Sequence, residues 1–222
     1  MTEAFLFLNP ISYLPAFRPA WIPRIPEVDV LGDRAFALAN LAPHHDRFIS
    51  EAFPEIQTRH HAEQVHGKEV TVISSPPAEK ILQHPGADGL ITNLPGQLLA
   101  IYVADCAAIY LADPVTSSIG LLHSGKKGSE LNILAEAVGK MTTTFGTNPA
   151  DITCIIAPCI RPPDYETDFA ATIRSQAKAL GIKNLHDTRE NTAADTKTHY
   201  SYRIEKGQTG RMLALLSILP LT

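Results

Sequence analysis

Residues 87–128 read ADGLITNLPGQLLAIYVADCAAIYLADPVTSSIGLLHSGKKG, and the rest of the chain is organised around them. This stretch contains two apolar runs, residues 98–103 and 119–122, whose Leu, Ile, Val and Tyr content is typical of buried strands. We therefore expect two buried strands whose ends lie close together at one edge of a sheet. Because Cys106 and His123 follow those runs, the sequence predicts that a thiol and an imidazole lie side by side.

A second imidazole is available upstream, in the segment Gln64-Val65-His66-Gly67, just before the β-branched run at residues 70–73. Two imidazoles and one thiolate form a donor set that suits zinc with an open fourth position for water or substrate. A lone buried cysteine is more often a small apolar residue than a ligand. Cys106 differs because it lies between Asp105 and a second motif that ends in His123, so the sequence predicts a metal site at His66, Cys106 and His123.

Composition is that of a globular chain and excludes several classes of protein. With 222 residues, of which 45% are hydrophobic, the chain is long enough to bury the core of one domain. The net charge of −4, with no dense basic block beyond Lys126-Lys127, argues against a nucleic-acid partner. No basic leader region is present, and the apolar run at residues 212–219 is too short to span a bilayer, so we expect no membrane contact and a cytoplasmic location. Three cysteines argue against a disulfide framework.

The first third of the chain is predicted to be scaffold. Residues 4–8 are a short strand candidate, and five prolines then predict an irregular, surface-wrapping N-terminal arm at about residues 10–30. The apolar spacing of residues 33–53 predicts a helix in two pieces, interrupted at Pro43.

The later elements alternate without an even βαβ rhythm. We expect a helix from near Ser129 to near Gly146 and another over residues 165–180, with strands at residues 152–157, 182–185 and 212–219. No internal repeat is visible. The predicted fold class is α/β (α+β), a layered sandwich of mixed β-sheets with helices packed outside, in a single domain spanning residues 1–222.

Six short segments occur in an order and at spacings similar to those of a known family. They are Gln64-Val65-His66-Gly67, Ala87-Asp88-Gly89-Leu90-Ile91-Thr92, Ala104-Asp105-Cys106, His123-Ser124-Gly125-Lys126-Lys127-Gly128, Ala157-Pro158-Cys159-Ile160 with Tyr165-Glu166, and Ser201-Tyr202-Arg203 with Thr209-Gly210-Arg211-Met212. Over about residues 60 to 220 the chain resembles the laccase-domain family, also called the polyphenol oxidase or purine nucleoside phosphorylase laccase-domain family.

The resemblance implies a zinc-dependent enzyme of purine nucleoside metabolism. Its expected partners are phosphate and a small-molecule purine nucleoside (adenosine, inosine or methylthioadenosine), cleaved by phosphorolysis; adenosine is also expected to be deaminated. The family's metal ligands, carried over residue by residue, are His66, Cys106 and His123. These are the same three residues that the bare sequence selects.

The chain departs from the family pattern beside this site. Lys126 and Lys127 stand where the family has Trp-Arg, and Lys127 keeps the charge without the bidentate fork of arginine. The family's N-terminal Phe-Thr-x-Arg-Gly-Gly element has no match, and its late Cys-Thr pair is replaced near Thr192-Ala193.

A turn between two glycines at a helix start presents free amides to an anion. We therefore predict that the substrate or phosphate is bound by Gly125, Lys126, Lys127, Gly128 and Arg211. The predicted catalytic residues are Asp105, Lys127 and Arg203, although Asp105 could either orient the site or simply end the strand.

Other functions remain open from sequence. Copper-dependent phenol oxidation, the activity behind the family's older name, needs histidine ligands in close pairs, and the nine histidines include no His-x-His. A zinc nucleobase deaminase is disfavoured because Pro-Cys-x-x-Cys is absent. The replaced Trp-Arg pair favours a degenerate member that binds a nucleoside or a partner protein without turnover. A Cys106–His123 hydrolase is disfavoured because a thiolate held by zinc is a poor nucleophile.

Overall fold

The computed structural model describes residues 5–56 and 58–220. Within these residues, two mixed β-sheets pack face to face and helices cover their outer faces, which confirms the predicted layered sandwich in one domain. The strands are β1 Phe17–Ile22, β2 Thr58–Ala62, β3 Val70–Ile73, β4 Ile81–His84, β5 Gly89–Thr92, β6 Gln97–Val103, β7 Ala107–Asp113, β8 Ser118–Ser124, β9 Thr153–Ile156, β10 Asn184–Asp187 and β11 Met212–Ile218. The helices are α1 Asn9–Ser12, α2 Arg34–Ala52, α3 Lys126–Glu130, α4 Ile133–Phe145 and α5 Phe169–Ala179.

The strand order places consecutive strands β6 and β7 in different sheets. The first sheet has the order β1-β11-β6-β2-β4, and the second has the order β10-β9-β7-β8-β5-β3. Only residues 104–106 connect β6 to β7, so the chain crosses from one sheet to the other there. This crossing carries Cys106 and lies beside the end of β8, which carries His123.

Both faces of the central strands are buried, which explains their uninterrupted apolar sequence. In β6, Leu99 and Ile101 join the core between the sheets, whereas Leu98 and Ala100 join the cluster that includes Phe48 and Ile49 of α2. Helices α4 and α5 cover the outer face of the second sheet in the same way.

The prediction that prolines keep residues 10–30 irregular is wrong in two places. Residues 17–22 form β1, which pairs antiparallel with β11, with Pro19 opposite Leu216. Because β1 is the outer strand of its sheet, the missing N–H of Pro19 is tolerated. Pro10 lies in the first turn of α1, where a proline N–H would have no helical partner in any case.

Two further predictions about the N-terminal third are corrected. Residues 6–8 form a 3₁₀ turn rather than part of a strand, and residue 4 lies outside the described residues. Helix α2 is continuous through the exposed Pro43, because Ala37, Leu41 and His45 repeat every four residues and bury one face of the helix. Burial of that face outweighs the hydrogen bond that Pro43 removes.

The remaining elements differ from prediction mainly at their ends. The helix expected from Ser129 begins earlier and breaks: α3 starts at Lys126, and α4 starts again after Asn132 and ends at Gly146 as predicted. Helix α5 and strand β10 also start later than expected. No helix among residues 5–56 and 58–220 is long and apolar enough to cross a membrane.

Candidate metal centre

The structure brings together the three residues that the sequence selects as metal ligands. One ligand atom each from His66, Cys106 and His123 lies within 4.8 Å of the other two. Ligands of a tetrahedral zinc at ~2.0–2.3 Å lie about 3.3–3.8 Å apart, so a small movement of the exposed His66 would complete the set. Within the described ranges, no other group of three His, Cys, Asp or Glu residues meets this distance criterion.

His66 is held differently from the other two ligands. Cys106 and His123 lie at or just beyond strand ends, but His66 lies in the loop between β2 and β3, four residues from either strand. Its backbone has a positive φ of 61°, as has Gln64 with 67°. Left-handed backbone costs of order 1–3 kcal/mol in a residue other than glycine, so surrounding contacts must hold this loop.

The buried carboxylate of Asp88 holds the loop and one of the ligands at the same time. Its Oδ1 accepts hydrogen bonds from the backbone N–H of His66 at 2.9 Å and from Nδ1 of His123 at 2.8 Å. Its Oδ2 accepts from the N–H groups of Gly67 at 2.6 Å and Val65 at 3.2 Å. Since Nδ1 of His123 is used, Nε2 is the nitrogen left for a metal, as in carboxylate–histidine–zinc sites.

Sequence reasoning did not assign a role to Asp88. The available signal was its place in the Ala87-Asp88-Gly89 segment. An aspartate that is buried at the start of a strand needs hydrogen-bond partners. Burial raises the pKa of this carboxyl, but the hydrogen bonds from His123, Gly67 and His66 outweigh burial and lower the pKa below its usual value.

Gly125 leaves room for the Cys106 sulfur. A Cβ at this position would lie 2.6 Å from Sγ of Cys106, which no real side chain tolerates. The φ of Gly125 is −95°, a value open to any residue, so close approach rather than backbone conformation requires glycine here. By contrast, Gly128 is buried against backbone oxygens of Gly67 and His123 and does not line the cavity described below.

Cys106 and His123 shift each other's protonation. Burial raises the pKa of the Cys106 thiol, but the charges and hydrogen bonds of His123 and His66 outweigh burial and lower the pKa to about 6. Burial lowers the pKa of His123, but the Cys106 thiolate and the Asp88 carboxylate raise it to about 9. The thiolate, which is the form that binds metal, is therefore favoured at neutral pH.

The three residues line a cavity of about 970 Å³, a size ordinary for small-molecule sites. Its wall is rich in cations and aromatic rings. The cations are Arg34, Lys126, Lys127, Arg203, Lys206 and Arg211, and the rings other than histidine are Tyr102, Tyr165, Phe169 and Tyr202. The acidic residues in the wall are Asp105 and Glu130.

The carboxylate of Asp105 accepts three hydrogen bonds from within the protein. Asp105 has a positive φ of 79°, and its carboxylate accepts from Oγ1 of Thr192 at 2.7 Å, Oγ of Ser201 at 3.1 Å and the N–H of Arg203 at 2.7 Å. These contacts fix the segment that carries Arg203 against the turn that carries Cys106. They fit a positioning role, and the predicted catalytic role of Asp105 remains a prediction.

The predicted anion-binding residues also meet at this cavity, except Gly128. Helix α3 has only five residues, so its dipole is weaker than the sequence suggested. Lys126 and Lys127 are exposed, and Lys126 Nζ lies 3.9 Å from Oε1 of Glu166. Arg203 donates to Glu166, and Arg211 donates to two backbone carbonyls.

Comparison with known proteins agrees with this architecture. The family described as "Multi-copper polyphenol oxidoreductase laccase" matches residues 39–170 and 164–219. The chain belongs to this family. Among family relatives, the protein named purine nucleoside phosphorylase YlmD of Geobacillus stearothermophilus is 29% identical over 191 residues, 69% of this chain and 70% of that protein. The purine nucleoside phosphorylase of Deinococcus radiodurans is 32% identical over 182 residues, 70% of this chain and 68% of that protein.

Solved structures of the family share the fold. The crystal structure of YlmD from Geobacillus stearothermophilus superposes with a TM-score of 0.78 at 23% identity and covers 93% of each chain. The Bacillus licheniformis hypothetical protein YfiH gives a TM-score of 0.78 at 21% identity, covering 94% of this chain and 95% of that one. Both sheets and their helical layers are thus common to the family.

Proposed function

We propose that this chain is a zinc-dependent purine nucleoside phosphorylase acting on adenosine, inosine and methylthioadenosine. The observation that carries the proposal is the convergence of His66, Cys106 and His123 on a cavity wall lined by cations and aromatic rings. The names of the relatives, purine nucleoside phosphorylases at 29–32% identity, support the reaction class.

We assign this donor set to one zinc ion rather than to the several coppers of a multicopper oxidase. Two imidazoles and one thiolate leave a fourth position open, and Asp88 fixes His123 through Nδ1 as carboxylates do in zinc sites. Bound there, zinc would polarise a substrate oxygen as a Lewis acid. Multicopper chemistry would need further clusters of ligands, and the described residues contain one such group.

The chain's own side chains would position the two reactants. In phosphorolysis, a phosphate oxygen forms a bond to the anomeric carbon while the bond from that carbon to the base nitrogen breaks. The base leaves with the electron pair and takes up a proton. Lys127 and Arg211 would supply positive charge for phosphate, and the Tyr165 and Phe169 rings offer a stacking surface for the purine. Arg203, proposed as catalytic, would contact the nucleoside.

Two alternatives make different predictions. Adenosine deamination at the same site releases ammonia and needs no phosphate. A degenerate, non-catalytic member, favoured by Lys126-Lys127 in place of Trp-Arg, would bind nucleoside without releasing base.

The test is metal analysis of the purified chain followed by assays of adenosine, inosine and methylthioadenosine with and without phosphate. We expect about one zinc per chain and release of free base only when phosphate is present. Base release without phosphate, or copper in place of zinc, would contradict the proposal.

Cys106→Ala links the metal to the activity. It should lower zinc content sharply while the chain stays folded, since the apolar strands close the core without the metal. Cys154→Ala is the matched control, because Cys154 lies in β9, packs in the cluster between the second sheet and its helices, and does not line the cavity. Equal zinc stoichiometry in Cys106→Ala and the parent would exclude the assigned ligand set.

A further inference from the structure

The cations of the cavity fall into two groups according to their contacts. In the first group, Arg203 and Lys126 share the carboxylate of Glu166, at 2.7 Å and 3.9 Å. The Arg203 guanidinium also stacks on the Tyr165 ring at 4.8 Å from its centroid. Much of the positive charge of this group is therefore balanced by Glu166, and its surface combines a carboxylate with an aromatic face.

The second group contains Lys127, Lys206 and the two arginines Arg34 and Arg211, whose guanidinium groups suit a phosphate best. Within residues 5–56 and 58–220, neither guanidinium forms an ion pair with a carboxylate. Nη1 of Arg211 donates to the carbonyls of Thr209 and Gly210, both at 2.8 Å, which fixes the guanidinium in place beside the cavity. Its Nε and Nη2 make no hydrogen bond to the described residues, so they remain available to a ligand.

Arg34 is exposed, and its Nη2 donates to the carbonyl of Glu63 at 3.4 Å. Arg34 is the first residue of α2, where the helix dipole is positive, and the Asp33 side chain is used to cap Phe36. Arg34 and Arg211 line the same cavity, and burial, followed by the positive charge of Arg34, lowers the pKa of Arg211. An anion bound between them would be attracted by both cations.

We propose that Arg34 and Arg211 bind the phosphate consumed in the reaction, and that Arg203 and Tyr165 face the nucleoside. This inference rests on the proposed phosphorylase function. Guanidinium groups match the oxygens of phosphate with two parallel hydrogen bonds. Because Arg203 is already paired with Glu166, it attracts phosphate less than an unpaired arginine does, and its guanidinium, stacked on the Tyr165 ring, can contact a base.

The experiment measures inorganic phosphate binding directly, by calorimetry on the zinc-loaded chain. Arg34→Gln should weaken phosphate binding about tenfold or more, as expected for loss of a charge-assisted contact, and Arg34→Lys should restore part of it. Arg211→Lys should weaken binding by a similar factor because it keeps charge but loses the fork. Arg47→Gln, on the exposed side of the same helix, is the control with the same charge change.

Each outcome separates this inference from the proposed function. If Arg34→Gln and Arg47→Gln bind phosphate with the parent's affinity, the phosphate subsite is wrong even if phosphorolysis occurs. If Arg34→Gln weakens phosphate binding but no nucleoside releases base, the subsite stands and the phosphorylase proposal fails. For either conclusion, the zinc content of each variant must match that of the parent. Arg34→Gln is expected to meet this condition because Arg34 is exposed and is not one of the metal ligands.

Discussion

His123 and Lys127 lie four residues apart in the chain, yet the protein holds them in opposite ways. His123 is 4% exposed, lies at the end of a buried strand and is fixed by the carboxylate of Asp88. Lys127 is exposed in a five-residue helix and forms no ion pair within the described residues. His123 is thus held by the core, whereas the cations around the metal centre are free to adapt to a ligand. Substitutions that disturb the metal ligands or their supports should lower zinc affinity, and those at the exposed cations should change ligand affinity alone.

The largest effect is expected for Asp88→Ala, which removes the acceptor of four hydrogen bonds. Loss of one partner of a buried pair costs about 3–5 kcal/mol of unfolding free energy, and loss of a carboxylate behind a metal-binding histidine costs about 10- to 100-fold in metal affinity. Urea unfolding and zinc titration measure the two losses.

Asp88→Asn serves as the milder variant, since an amide oxygen still accepts hydrogen bonds. Asp46→Asn is the control: Asp46 is 57% exposed and pairs with Arg59, so its loss should cost less than about 1 kcal/mol. Parent-like zinc affinity in both Asp88 variants would show that the loop and His123 do not depend on this carboxylate.

Gly125→Ala should act on the metal with less effect on the fold. The added Cβ would meet the Cys106 sulfur at 2.6 Å, so the sulfur must move away from the two histidines. We expect reduced zinc affinity with stability of the metal-free chain close to the parent's. Gly139→Ala makes the same change in the exposed middle of α4, where nothing lies within 4 Å, and should instead stabilise the chain by up to about 1 kcal/mol. Equal zinc affinity in the two variants would contradict this role for Gly125.

The sequence predicts the metal ligands and the strands that carry them better than the residues that hold those ligands in place. The apolar runs that became β6 and β8 are buried on both faces, so local pattern alone located them and the ligands Cys106 and His123. The strand at β1 was missed because its partner, β11, lies nearly two hundred residues away along the chain, at a register that local composition does not encode. The role of Asp88 was missed for the same reason: its partners come from a different loop and a different strand.

A pH dependence should arise away from the metal, beneath α2. Burial and the charge of Arg59 lower the pKa of His45 to about 4, and the same two causes lower the pKa of His61 to about 3. The unfolded chain binds these protons at the ordinary pKa near 6.5. The contribution of the two neutral histidines to the free energy of unfolding is therefore fully present above about pH 6.5 and is lost as the pH falls toward 4.

His45→Phe should remove one linked proton from this dependence, worth about 1.4 kcal/mol per pH unit in the middle of the window. It should also raise stability by removing the two buried ring nitrogens of His45, neither of which has a hydrogen-bond partner among the described residues. Unfolding curves of the metal-free chain between pH 4 and 7 measure the slope. Parallel curves for parent and variant would show that His45 is not the source.

The smallest effect is expected at Lys127. Lys127 lies on the cavity wall but is exposed, so its attraction for phosphate is screened by water and worth about 0.3–1 kcal/mol, or about two- to fivefold in affinity. We expect Lys127→Ala to raise the KM for phosphate by that factor and Lys127→Arg to lower it, because arginine adds the fork that this chain lacks. Zinc content should be unchanged in both variants, and Lys178→Ala, which removes an exposed charge from α5, should change neither quantity. If both Lys127 variants keep the parent's phosphate dependence while Arg34→Gln does not, Lys127 is a solvated surface charge. Phosphate is then bound by Arg34 and Arg211 without Lys127.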